Sequence, residues 1–144
     1  MAKKHWILVA NASQARVFER TSLTEPLLEL TDWQHPESRM QASETERAPL
    51  GQSLAGRSGL APRSDLKQQH RSEFAKKLAE YLHGAALNHR VNSLALVVSN
   101  PFMGELLAHL HAPVQKIIDA KHVLDLTSLN AKELDKRLRT EFRL

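Results

Sequence analysis

Residues 93–101 read Ser93-Leu94-Ala95-Leu96-Val97-Val98-Ser99-Asn100-Pro101. The run from Leu94 to Val98 has no polar alternation, so it predicts a strand buried on both faces, as in a parallel sheet. Asn100-Pro101 then gives a helix cap followed by proline at the first helical position. Phe102, Leu106, Leu107 and Leu110 continue as a short amphipathic helix that Pro113 interrupts. Another strand is expected around Ile118 to Val123. Asn130-Ala131-Lys132-Glu133 is a capping-box pattern, and it opens a last helix with Leu134, Leu138 and Phe142 inward. Strand, helix, strand, helix is the alternation of an α/β fold.

Upstream of this unit, Ser64 caps a helix that starts with Asp65, an acid well placed at the positive end of the dipole. Leu66, His70, Phe74, Leu78 and Leu82 recur every four residues, with Tyr81 and Ala85 beside them, which makes one apolar stripe. Gly84 and Asn88 mark its expected end. The first 34 residues read as three strands. Trp6-Ile7-Leu8-Val9-Ala10 is apolar throughout. Ala15 to Arg20 mixes apolar and charged residues, as in a strand solvated on one face. Leu27 to Trp33 alternates, with Leu28, Leu30 and Asp32 on one side and Leu27, Glu29, Thr31 and Trp33 on the other. Short connections favour an antiparallel meander. The expected fold is therefore one α/β domain over 1–144, a five-stranded mixed sheet in the order 3-2-1-4-5 with three helices. That topology is ribonuclease H-like and is shared by several components of the translation machinery. The third and fifth strands would be its open edges.

Between the third strand and the long helix, from about residue 35 to 64, periodicity disappears. Three of the chain's five glycines, Gly51, Gly56 and Gly59, lie there with Pro36, Pro49 and Pro62. Long aperiodic loops inside a compact domain are commonly functional. The chain carries a formal charge of +4 with histidine neutral. Arg47, Arg57, Arg63, Lys67 and Arg71 stand in one window against a single acid, Asp65, so that window holds the whole excess. Such a segment can neutralise phosphates, which makes RNA or the ribosome the expected partner. It has no aromatic residue for base stacking, so binding would follow the backbone.

Several chemistries are disfavoured. There is no cysteine, which excludes disulfides, thiolate catalysis and cysteine-based zinc sites. No segment approaches the roughly 20 apolar residues of a membrane span, and the N-terminal apolar run is too short for a signal peptide. A cytoplasmic protein without a membrane partner is expected. A two-metal nuclease needs clustered carboxylates, yet the first strand runs into Asn11 and the fourth into Ser99-Asn100, leaving Asp125 alone. The eight histidines include no i, i+4 pair and no His-Glu-x-x-His, so no metal and no cofactor is expected. His70 differs from the others, because it shares the apolar stripe of the long helix just after the loop and reads as an anchor for that loop or as a site residue. Ser53, Ser58 and Ser64 lie near it without a nucleophile elbow. The residues favour a binding role over an enzymatic one.

The chain resembles a bacterial family named as proteins required for attachment to host cells. The resemblance rests on Trp6 to Asn11 followed by Ala15 to Glu19, on Gly56-Arg57, on His70 with Phe74-Ala75, on Leu94 to Val98 before Pro101, and on Asp125-Leu126-Thr127. It covers nearly the whole chain. Members often have Asp where Asn11 stands. That family is similar in fold to the middle domain of archaeal and eukaryotic peptide-chain release factors, whose Gly-Gly-Gln loop lies between the third strand and the long helix. Leu50-Gly51-Gln52-Ser53 occupies the corresponding place, with Leu50 replacing the first glycine. The resemblance implies Gln52 as the catalytic candidate. It also implies a second role, an interaction or regulatory protein that supports attachment without nucleic acid.

Overall fold

The computed structural model describes residues 3–22, 24–35 and 63–144, with side chains of the long helix described from Leu66 onward. The strands are β1 (His5–Asn11), β2 (Gln14–Arg20), β3 (Leu28–Gln34), β4 (Ser93–Val98) and β5 (Ile118–His122). The helices are α1 (Arg63–Leu87), α2 (Phe102–His109), α3 (Ala112–Gln115) and α4 (Ala131–Arg137), the last continued by a π-helical turn over Leu138–Phe142. The sheet order is β3-β2-β1-β4-β5, with β1 antiparallel to β2, β2 antiparallel to β3, and β4 parallel to both β1 and β5. This is the five-stranded mixed sheet expected, with β3 and β5 at the edges.

Each face of the sheet has its own core. Trp6, Leu8 and Ala10 of β1 and Leu94, Leu96 and Val98 of β4 pack against α1 and α2. The alternate residues Ile7, Val9, Ala95 and Val97 meet Leu126, Leu134, Leu138 and Leu144 on the other face. Burial on both faces is why β1 and β4 lack alternation.

Three local readings change. A fourth helix, α3, appears because Pro113 starts a new turn rather than only ending α2: it sits at the first positions of Ala112–Gln115. Pro101 itself occupies the position before α2, after a cis Asn100–Pro101 bond, and Asn100 supplies no side-chain cap. The Ser99 carbonyl accepts from the Met103 N–H at 2.9 Å instead. The alternation read in β3 is broken by a bulge, where Val17 pairs with Thr31 but Phe18 pairs with Glu29. The extra residue lets Leu30 and Trp33 join the same core while Leu27 joins the opposite one.

β2 is not solvated on one face. Arg16 and Arg20 are 8% and 2% exposed. The Arg16 guanidinium donates to Glu29 at 3.1 Å and to the Leu129 carbonyl at 2.6 Å. Arg20 donates to Asp135 at 2.6 Å and to the Glu25 carbonyl at 2.8 Å. Buried guanidinium groups persist only when paired in this way. These bonds tie the region from β5 to α4 over the sheet.

α1 runs through Gly84 to Leu87. Its end is set by His89, which has φ 56°. The Arg90 N–H donates to the Ala85 carbonyl at 2.9 Å and the His89 N–H to the Ala86 carbonyl at 3.2 Å, the paired bonds of a Schellman end. Gly84 therefore serves no turn, and a Cβ built there meets nothing within 4 Å. Gly84→Ala should stabilise the protein by about 0.5–1 kcal/mol, the usual helix-interior difference. Urea denaturation at matched slopes checks this, with an unchanged or lower midpoint as the contrary result.

Candidate functional site

The C-terminal end of β3 lies beside the middle of α1, and a groove of about 650 Å³ opens between them. Asp32, Trp33, Gln34 and His35 form one wall, and Phe74, Lys77, Glu80 and Tyr81 form the other. The aromatic rings are locked by mutual packing. Trp33 meets Tyr81 edge-on with centroids 4.6 Å apart, and Tyr81 stacks on Trp6 at 5.9 Å. His35 stacks on Phe74 at 5.0 Å with planes 9° apart, and Phe74 stacks on Phe102 at 5.5 Å. The backbone N–H of His35 donates to the Ser13 carbonyl at 2.7 Å, so both ring and backbone of His35 are held.

At the His35 end of this groove stands His70, with ring centroids 6.0 Å apart. Glu73 follows His70 by three residues and so shares its helix face. One ring nitrogen of each histidine and a Glu73 carboxylate oxygen all lie within 4.8 Å of one another. These three residues are the group among the described residues that could hold a metal ion. Local spacing could not reveal it, because His35 and His70 are joined only by the pairing of β3 with the sheet and the packing of α1 over it. His70-x-x-Glu73 was the one visible trace.

The sequence-predicted residues are placed unevenly. Lys67 and Arg71 lie one turn apart on α1, both half-buried, and His70 lies between them. Arg63 is the first residue of α1, and its side chain lies outside the described region. Arg47, Gly51, Gln52, Ser53, Gly56 and Arg57 also lie outside the described residues. So do Ser58 and the side chain of Ser64.

Two other clusters resolve the remaining chemistry. At the end of β1, Asn11 Nδ2 donates to Asp125 Oδ2 at 3.0 Å and to Thr127 Oγ1 at 3.1 Å. Asn11 Oδ1 accepts from the Ser13 and Gln14 backbone N–H groups, both at 2.9 Å. Asn11 thus clamps the β1–β2 turn to the segment after β5. An Asp in its place would set a second carboxylate against Asp125. With an amide there, the site holds one carboxylate and lacks the pair that two-metal chemistry uses. At the opposite end of β1, His5 Nδ1 lies 2.5 Å from Ser93 Oγ and 3.9 Å from Asp119 Oδ2. Hydroxyl and carboxylate address the same ring nitrogen, so His5 cannot relay a proton between them as a catalytic triad does.

The sequence pattern of the family described as protein required for attachment to host cells matches residues 6–138. The chain belongs to that family. The match spans β1 to the end of α4 and so includes both walls of the groove, the His35–His70–Glu73 group and the Asn11–Asp125–Thr127 clamp of this host-attachment family member. No curated protein matches the chain.

Asp125 gives the clamp a pH signature. Burial pushes its carboxyl up, but hydrogen bonds from the Thr127 hydroxyl, Asn11 and the Thr127 N–H together hold it below the ordinary carboxylate value. A carboxyl depressed in the folded state contributes stability above its unfolded pKa of about 3.9, and that contribution is lost as pH falls through the lower folded value. Carbon-detected NMR titration should place the Asp125 midpoint below the ordinary aspartate value, and Thr127→Val should move it upward. A midpoint at the ordinary value in both proteins would contradict the clamp.

Proposed function

We propose that this host-attachment family protein acts inside the cell as a binding domain that engages the phosphate backbone of RNA, on the ribosome or free, and that its part in attachment is indirect. One observation carries the reading: five cations and one acid lie within residues 47–71. Lys67 and Arg71 stand one turn apart on α1, so their guanidinium and ammonium groups can address successive phosphates. No helix among the described residues is long and apolar enough to cross a membrane. Because the basic window has no aromatic residue, recognition rests on charge, and a release-factor-like contact through Gln52 is the finer form of the same proposal.

The groove favours a second reading, an interaction protein without nucleic acid. Trp33, Tyr81 and Phe74 give it an apolar wall, while Asp32, Lys77 and Glu80 supply polar groups, the usual make-up of a ligand site.

Binding to tRNA and to ribosomes across a salt series separates the two. RNA binding predicts a log–log salt slope that shrinks by about 0.7–0.9 for each phosphate contact removed, so the triple change Arg57→Ala, Arg63→Ala, Arg71→Ala should flatten it by about two. No binding at low salt, or binding indifferent to the triple change, would exclude the RNA reading and leave the groove as the working surface.

A further inference from the structure

His35, His70 and Glu73 converge from two elements that are distant in sequence, and nothing in the RNA reading uses the three together. We propose that they bind one divalent transition-metal ion of the zinc class. Two imidazole nitrogens and one carboxylate oxygen are the donor set that suits zinc and its first-row neighbours, whereas calcium and magnesium take oxygen donors. His70 Nδ1 is buried and has no hydrogen-bond partner among the described residues. Buried polar atoms are normally partnered, so such an atom calls for an explanation. Glu73 Oε2 lies 3.8 Å from it, too far for a hydrogen bond.

That separation is close to what two donors on one ion require. With metal–donor distances near 2.1 Å, two tetrahedral ligands sit about 3.4 Å apart. Separations of up to 4.8 Å must contract by as much as about 1.4 Å to reach that geometry. Glu73, whose side chain is 63% exposed, can move to supply it. His35 is the fixed donor, held by its stack on Phe74 and its bond to Ser13. Three protein donors leave a coordination position for water or a ligand, and His35 is also a wall of the groove, so the ion would stand at the groove's end.

The experiment is titration of the chelator-treated full chain with zinc and with cobalt, followed by calorimetry and by cobalt d–d absorption. The expected result is one ion per chain with a four- or five-coordinate cobalt spectrum. Glu73→Gln and His70→Gln should each weaken binding by at least the roughly 10–100-fold that changes outside the ligand shell already cost. Glu73 is exposed, so its substitution tests the site without threatening the fold. His111→Gln, at a histidine stacked on His83 elsewhere on α1 and outside the three-donor group, should leave affinity unchanged. Absence of one-to-one binding would overturn the proposal. So would affinity unmoved by Glu73→Gln and His70→Gln, or an equal loss in His111→Gln.

Discussion

The stack of His35 on Phe74 on Phe102 holds the edge of the sheet, α1 and α2 together. It joins the first residue after β3, the middle of α1 and the start of α2 through stacked rings with centroids 5.0 and 5.5 Å apart. Phe74 and Phe102 are both fully buried or nearly so. Offset stacking of this kind adds about 0.5–1.5 kcal/mol per pair beyond area burial. Its larger effect is geometric. It fixes how far α1 lies from the edge strand, which sets the width of the groove and brings His70 and Glu73 to His35. The second aromatic set, Trp33, Tyr81 and Trp6, fixes the same spacing two turns further along α1.

Two places at the same end of the sheet, where β1 and β3 both finish, are built differently. Where β1 ends, Asn11 spends its amide on Asp125 and Thr127 and its oxygen on the hairpin turn. Every polar atom there is occupied in holding the chain together. The groove instead combines packed aromatics with polar groups at its rim. The clamp leaves little hydrogen-bonding capacity for a ligand, whereas the groove keeps polar groups at its rim.

Much of the fold was legible because two periodicities are strong. The uniformly apolar runs of β1 and β4 announced strands covered on both faces, and the four-residue recurrence from Leu66 to Leu82 announced α1. The sheet order followed from short early connections and later crossovers. What escaped detection depended on events that local pattern does not encode. The bulge opposite Val17 and Phe18 shifts β3 by one residue and so defeats strict alternation. Arg16 and Arg20 look like solvent-facing residues until the Leu129 carbonyl and the Asp135 carboxylate arrive from far along the chain. Asn100-Pro101 has the composition of a cap and first turn, yet proline takes the capping position. His70 stood out because it shared an apolar stripe. Its partner His35 could not, since 34 intervening residues separate them and only the packing of α1 on the sheet unites them. The basic window was plain in the sequence, and of its five cations Lys67 and Arg71 are the ones whose side chains fall within the described structure.

The proposed function lies at the junction of β3 and α1. The direct measurement is an amide NMR perturbation map of the full chain on adding a short single-stranded RNA at low salt. RNA binding through the basic window predicts shifts at residues 66–71 and the neighbouring His35, with α4 and the turn after it unmoved. Shifts confined to Leu124–Leu144 on the opposite face, or none at all, would contradict it.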